Sequence, residues 1–509
     1  MLSRACRCRA FLRSEMPHHT GSPCQYPAQQ RFLLLLPVTY FSCCTAGIIA
    51  FTDQDQRSRN HYLWDQTRRG MVTALVYSAL DPAGLAIRSA LDELIEDGSG
   101  PAWPLLEEDY FFHRTEGRLI YADGLDQEIQ ADRIIFLSRH TSERPYPVLT
   151  VHVTGNFAEA AYGGRPNELA VADPKMMQAV LKNLNRFVPK GYRVAYEVTH
   201  HGPTDLKTPS FFVEIGSTEN EWRDPEAAHA VARSVLMAKP GNAVPLIGFG
   251  GTHYAVRQTA IAGSTRGAFG HIAHTREISS LTPELVALMA ERSGAVAGYI
   301  DRKAMTRTEA KQVRSLLQQA GLPVITEGTM HELGDVGWQT WCRAADLAAT
   351  HYPGSVIKNH GMAGDCDPEI VSIHEELLQE ALRADEEAFL TLLDTITPSI
   401  RITTGGSAAL PLFIGCREQK EQLASDLITL CVQQITKHSL SVVEGDRLII
   451  RRDRFDPEKA RMLGVPPGPL FGRLAAGLEI TVGESLIKPE MVSSRDEREI
   501  TIPGLERYT

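Results

Sequence analysis

From Met71 to about residue 330, short β-rich apolar runs alternate with segments of helical apolar spacing, and that alternation leaves few architectures open. Met71–Tyr77 reads as a first strand. Asp81-Pro82 then opens a helix running to about Ile95, with the proline suited to the first turn. Arg133–Ser138 and Val148–Val153 are strand candidates. Met177, Val180, Leu181 and Leu184 place Pro174–Phe187 on a helix. Tyr192–Thr199 and Phe211–Ile215 read as strands, and a capping box of Thr218 and Glu221 predicts a helix from there to about Met237. Val244–Phe249 is a further strand, ending in Gly250-Gly251. The pattern predicts an α/β layer fold with helices on the sheet faces. Beyond 330 the character changes. A long acidic helix is expected over Pro368–Leu393, then a turn-rich stretch Thr403–Ala408, a helix over Lys420–Lys437, and short strands at Arg447–Arg451, Leu478–Val482 and Glu499–Ile502. Domain boundaries are expected near 330 and, more softly, near 440.

The first 70 residues differ from the rest. They hold nine basic against four acidic residues, and five of the nine cysteines. Phe32–Phe51 is an apolar run of 20 residues, long enough for a membrane span or signal segment. Pro37, Thr39, Ser42, Thr45 and Gly47 weaken it, and Met71 opens a cleaner start. Residues 1–70 are therefore read as a disordered leader or an over-extended start, with no membrane partner expected. The remaining chain holds 43 basic and 58 acidic residues and only four scattered cysteines, which make neither a disulfide framework nor a zinc-ribbon spacing. It reads as a reduced, cytoplasmic protein. A net charge of −10 argues against a broadly basic nucleic-acid coat but leaves room for a small basic groove.

The chemistry clusters in three segments at predicted strand ends. Eight of the 17 histidines lie between His140 and His274, and His152, His229 and His271 are among them. Thr199-His200-His201-Gly202-Pro203-Thr204 offers a base, a metal ligand or a carbonyl-polarising donor. Adjacent side chains of an extended chain face opposite ways, so both histidines serve one site only if the turn at Gly202-Pro203 twists the backbone. Phe212-Val-Glu214-Ile-Gly216-Ser217-Thr218 leads from strand to helix. Its Glu214 is either solvent-facing or buried against a histidine. Gly248-Phe-Gly250-Gly251-Thr252-His253-Tyr254 offers backbone N–H groups to a ligand, and lacks the spacing of a Walker or Rossmann loop. Gly270-His271-Ile-Ala-His274 is a weaker signal. Neither a serine-hydrolase elbow nor a His-Glu-x-x-His motif is present. Open α/β sheets bind ligands beyond their strand ends, where these segments would meet.

Those three motifs, in that order, with Glu221-Trp222 after the second, resemble the archaeal and plant type of D-aminoacyl-tRNA deacylase over Met71 to about Gly328, roughly half the chain. The resemblance implies hydrolysis of the ester joining a D-amino acid to the terminal ribose of tRNA, a step of chiral proofreading. It implies an α/β fold with a mixed sheet flanked by helices, of the phosphorylase/hydrolase and peptidyl-tRNA hydrolase kind, carrying a C-terminal α+β extension. It also implies dependence on zinc, with ligands left unnamed. A monomer acting on the charged acceptor end of tRNA, and not on DNA, is expected. Leu463-Gly-Val-Pro-Pro-Gly-Pro-Leu-Phe-Gly-Arg-Leu-Ala-Ala-Gly477 is similar to a segment of tRNA 3′-processing endonucleases, which suggests a tRNA-handling tail or a plain folded cap.

An aminoacyl ester is already activated, so a site for it must place a water, hold the RNA end and stabilise an oxyanion. On this reading His200 or His201 is the base. His253 and the N–H groups of Gly250 and Gly251 face the oxyanion, and Glu214 orients a histidine. Thr199, Gly202, Gly216, Ser217, Thr252, Tyr254 and Lys207 line the substrate, and Lys207, Arg257 and Arg266 are candidates for phosphates. Two alternatives stay open. One is a metal-dependent hydrolase or phosphorylase acting on a nucleoside or small ester, with little salt dependence. The other is a tRNA-binding protein without catalysis.

Overall fold

Apolar runs become buried strands wherever both faces can be covered, and β1 (Val72–Ser78), β3 (Arg133–Arg139) and β4 (Val148–His152) are such runs. The computed structural model of the protein describes residues 70–97, 103–142, 145–404 and 409–508. The expected leader, Gly70 apart, and residues 405–408 of the turn-rich stretch lie outside the described residues. With β2 (Asp109–Thr115), β7 (Arg193–Tyr196) and β8 (Ser210–Gly216), those strands form one sheet in the order β2-β1-β3-β8-β4-β7. The two-residue strands β5 (Gly155–Asn156) and β6 (Glu168–Leu169) pair beside it. The sheet is mixed. β2, β1, β3 and β8 run parallel, whereas β4 is antiparallel to β8 and carries β7 parallel to itself. Strand direction therefore reverses at the β8–β4 seam. Alternation puts Phe212 and Glu214 on one face of β8, and the antiparallel register sets Phe212 opposite His152.

Helices Pro82–Asp97, Pro174–Phe187 and Pro225–Leu236 pack on one another and on this sheet, and Pro174–Phe187 also meets a second sheet. That sheet is wholly parallel, in the order β10 (Gly267–Ala273), β9 (Val244–Phe249), β11 (Ala297–Ile300), β12 (Val324–Ile325). The α/β class with helix-flanked mixed sheet is as expected. Three local readings are corrected. The helix expected from Thr218 to Met237 is two: the capping box starts Glu219–Trp222, and Asp224 then caps a new helix at Pro225, a residue with no N–H to continue the first. The strand expected over Tyr192–Thr199 is only Arg193–Tyr196. The expected acidic helix over 368–393 begins as strand β14 (Pro368–Ser372) and then divides into helices Glu375–Ala384 and Glu386–Leu392, because Asp385 is extended and caps the second.

β14 belongs to a four-stranded sheet with β13 (Val356–His360), β15 (Ser399–Thr403) and β16 (Ala409–Cys416), in the order β13-β15-β16-β14. Pro368 lies opposite Cys416 in that sheet, and a disulfide joins Cys366 to Cys416 with Cα atoms 5.7 Å apart. The scattered cysteines are thus not all free. A separation of 50 residues hides a pair that sheet register makes adjacent. Helix Lys420–His438 follows, then an antiparallel sheet of β17 (Leu440–Glu444), β18 (Arg447–Phe455) and β21 (Ser493–Thr501). Between β18 and β21 the segment with the Pro-Pro-Gly-Pro run builds a small core of its own from Ala460, Val465, Leu474, Ile480, Ile487 and Val492, closed by the hairpin of β19 (Ile480–Val482) and β20 (Ser485–Ile487). Met330, Trp341 and Ile402 share one apolar core with Ala74 and Phe136. Among the described residues no helix is long and apolar enough to cross a membrane.

One close approach fixes the first helix on the sheet. A Cβ at Gly84 would lie 2.6 Å from the Leu137 carbonyl oxygen of β3. Gly84→Ala, which in an open helix would gain up to about 1 kcal/mol, is expected here to destabilise by about 1–3 kcal/mol. Denaturant unfolding measures it, and a stabilised variant would contradict the packing.

Candidate active site

Seven side chains converge where the strand direction reverses. His140 follows β3, His152 ends β4, Glu197 follows β7, and Glu214 stands on β8; His200, His201 and His253 arrive from the loops after β7 and β9. Each comes to the same place for a local reason. β7 stops at Tyr196, which lets Glu197 turn in beside β4, its N–H donating to the Val151 carbonyl at 3.1 Å. His201 adopts a left-handed φ of +46°, the backbone twist that brings His200 and His201 to one site, with ring centroids 4.4 Å apart. Gly216 leaves room for His140, since a Cβ there would lie 2.7 Å from the imidazole.

Glu197 is the hub. It is fully buried, and imidazole nitrogens lie near it at 3.0 Å (His253), 3.1 Å (His140), 3.5 Å (His200) and 3.9 Å (His152). Neither of its oxygens makes an aligned hydrogen bond, nor does Nδ1 of buried His152. Burial pushes the Glu197 carboxyl up, but the charge on His140 outweighs it and holds it well below the usual range. Burial also opposes charge on His140, yet Glu197 and Glu214 overcome it and push the imidazole up to about 12. Glu214, 3.5 Å from His140, is the weaker acid, pushed up to about 7 by burial against the pull of His140. Tyr254 closes the far side of His140, its hydroxyl 2.9 Å from Nε2.

The other imidazoles are kept neutral. Burial holds His152 and His200 well below the ordinary value and His201 at about 4. His200 spends Nδ1–H on the Val198 carbonyl at 2.8 Å, and His201 spends Nδ1–H on the Gly202 carbonyl at 2.7 Å. Both therefore present an Nε2 lone pair, and Nε2 of His201 lies 3.1 Å from that of His152. Imidazoles fixed through one N–H with the other nitrogen bare are suited to metal ligation. His152, His200 and His201 bring their ligand atoms within 4.8 Å of one another, and so do His140, Glu197 and His253. A cavity of about 840 Å³ opens over this centre, lined among others by Thr199, His200, His201, Glu214 and His253.

The remaining expected site residues have other placements. Thr199 bonds His271 and the Ile272 N–H. The Gly250 N–H goes to the Ala273 carbonyl, the Gly251 N–H to the Thr275 hydroxyl, and the Gly202 N–H to the Tyr162 carbonyl, so none of the three is open to an oxyanion or substrate. Ser217 Oγ donates to the Tyr146 carbonyl, and Thr252 Oγ1 to the Tyr254 carbonyl. Lys207 is exposed and away from the cavity lining, its N–H held by Asp126. Arg257 pairs with Glu327, and Arg266 donates to the Asn242, Gly334 and Val336 carbonyls. Sequence reasoning missed Glu197 outright and counted His140 and His152 without placing them. The density of histidines was the available signal. Glu197 had none beyond lying three residues before His200.

This is a buried imidazole–carboxylate centre under an open cavity on an α/β sheet, the arrangement of a hydrolytic site. A family model described as D-aminoacyl-tRNA deacylase matches residues 127–325. A D-aminoacyl-tRNA deacylase of Methanoculleus marisnigri is 46% identical over 439 residues, covering 86% of this chain and 100% of that protein. One of Methanosphaerula palustris is 47% identical over the same share of both. A crystal structure of a conserved protein of unknown function is 34% identical, covering 51% of this chain and 97% of that one with a TM-score of 0.46. The chain belongs to the D-aminoacyl-tRNA deacylase family.

His271 stands outside the centre as its anchor. Its Nε2–H donates to the Ala170 carbonyl at 2.9 Å, and burial pushes it down to about 4. A histidine lowered in the fold stabilises above its unfolded value of 6.5 and loses that contribution as pH falls toward 4. Wild-type stability is expected to fall over that window, and His271→Gln to remove about 1.4 kcal/mol of the loss per pH unit. Unfolding curves at pH 7, 5.5 and 4.5 check this; an unchanged pH slope in the variant would refute it.

Proposed function

We propose that this protein hydrolyses the ester of D-aminoacyl-tRNA, releasing the free D-amino acid and tRNA. The observation that carries the reading is the Glu197-centred imidazole cluster at the floor of an open cavity, in a chain of this family. Glu197 orients His253, which is half exposed and so within reach of a substrate. His253, its Nε2 turned to Glu197, takes the proton of the attacking water, since the bare Nε2 of neutral His201 serves as a metal ligand. The charged His140 offsets Glu197 and Glu214 and holds their carboxylates in place. We also propose the peptidyl-tRNA hydrolase-like kinship of the fold, a cytoplasmic monomer as the working form, a division of the chain near 330, and zinc as the metal.

The donor set suits zinc: neutral imidazoles with free Nε2 atoms, and a buried carboxylate whose oxygens lack aligned hydrogen bonds. His152, His200 and His201 would hold the ion, with charged His140 left out of the ligand set. Bound there, zinc would lower the pKa of a water and polarise the ester carbonyl.

The purified protein is expected to release D-tyrosine from D-tyrosyl-tRNA faster than L-tyrosine from L-tyrosyl-tRNA. His201→Ala, His253→Ala and Glu197→Gln should each cost at least about 10²-fold in kcat/KM. A loss below about threefold at all three would return them to structural roles. Chelation should abolish turnover and zinc restore it, and full activity in chelator would remove the metal from the reading.

A further inference from the structure

The basic residues that the sequence offers for RNA contact do not reach the cavity, but three others do. Arg118, Arg139 and Arg276 are part of its lining. Among the described residues none of these guanidinium groups is ion-paired or donates a hydrogen bond. Two rest on rings: Arg118 lies 5.7 Å from the Tyr121 centroid and Arg139 5.1 Å from that of Trp222. An aromatic face steadies a guanidinium without cancelling its charge. Asp81, a carboxylate of the same lining, is committed elsewhere: its oxygens accept from the N–H groups of Ala83, Gly84 and Arg139 and from the Ser138 hydroxyl. Glu159 and Glu277 also line the cavity, so the three arginines remain in excess of the uncommitted rim carboxylates. Tyr162 belongs to the same lining and is 65% exposed, an open ring on which a base can stack.

The chain as a whole carries a net charge of −10, so a polyanion is repelled at long range and must be held by local contacts. We infer that this rim grips the single-stranded 3′ end of an RNA, with Arg118, Arg139 and Arg276 on its phosphates and Tyr162 under one of its bases. The inference rests on the deacylase reading and adds to it the residues that recognise the polynucleotide rather than the ester. Arg139 neighbours His140 in sequence and is left unchanged in the test. Arg118 and Arg276 are exposed and can be changed without disturbing the centre.

The test uses the full chain and separates binding from cleavage. Binding of an unacylated single-stranded RNA and of uncharged tRNA is followed by fluorescence anisotropy across salt concentrations. Three phosphate contacts predict a slope of log K against log salt of about −2, reduced to about −0.7 in Arg118→Glu/Arg276→Glu. That double variant should bind RNA at least tenfold more weakly, with Arg118→Gln/Arg276→Gln as the milder form if charge reversal impairs folding. Tyr162→Ala should weaken binding at least fivefold, and Tyr162→Phe restore it. In cleavage assays the double variant should lose at least tenfold more rate on D-tyrosyl-tRNA than on phosphate-free D-tyrosyl-adenosine. Equal losses on the two esters, or RNA affinity and salt slope unaltered in the double variant, would overturn the rim. A wild type that binds RNA with this slope yet cleaves neither ester would uphold the rim while refuting the deacylase reading.

Discussion

The charge on Glu197 organises the catalytic half of this protein. A carboxylate taken wholly out of water is costly unless opposite charge and polar partners surround it. Here the compensation comes from four imidazoles supplied by four separate stretches of chain, with the charge on His140 as the counter-ion. Removing any one leaves the carboxylate less well matched. The centre therefore links the β3, β4, β7 and β9 regions through one carboxylate. A cavity opening directly above it lets the same groups that offset one another meet a substrate.

The seam where β4 runs against β8 makes this convergence possible. In a fully parallel sheet the loops after the strands would gather at one edge, and the middle of the sheet would be apolar throughout. The reversal sets His152 opposite Phe212, brings Glu197 in beside it, and leaves Glu214 on the same face two residues further along β8. The stacked rings of Phe136, Phe212 and His152 then form a floor that passes from apolar to ionisable within a few ångströms. That boundary is where burial can drive some imidazoles down to the neutral form while Glu197 and Glu214 drive His140 the other way.

The C-terminal third follows other rules. Its sheets are antiparallel, and a cystine ties β16 to the chain entering β14. Glu380 is buried against Arg383, Arg452 and Arg498, a second compensated carboxylate that links helix Glu375–Ala384 to β18 and β21. The Pro-Pro-Gly-Pro segment makes a core too small to stand without the sheet that carries it. Its five acidic and four basic residues between Asp456 and Val492 give it no excess of positive charge for a polyanion, in contrast to the cavity rim.

Much of the fold was legible because periodicity is local: the strands at Val72, Arg133, Val148 and Val244, the helices at Pro82 and Pro174, the Thr218 capping box and the helix expected over Lys420–Lys437 stand within a residue or two of expectation, whereas the strand Asp109–Thr115 was not foreseen. The errors arose where one residue overrode the pattern, as Pro225 does between two helices and Asp385 does in the acidic stretch. His200, His201, Glu214 and His253 were legible as site residues because polar and glycine-rich segments interrupt apolar strands there. Glu197, His140 and His152 were not, because each looks like an ordinary member of its own strand end and acquires meaning only from neighbours 40 to 110 residues away in sequence. The amino-acid order alone determined the α/β alternation, the motif segments and their succession. Only the tertiary structure decided which imidazoles share a carboxylate, which glycine N–H groups are already bonded, and which arginines face the cavity, since those depend on strand register and direction across a sheet, which no local stretch of chain encodes.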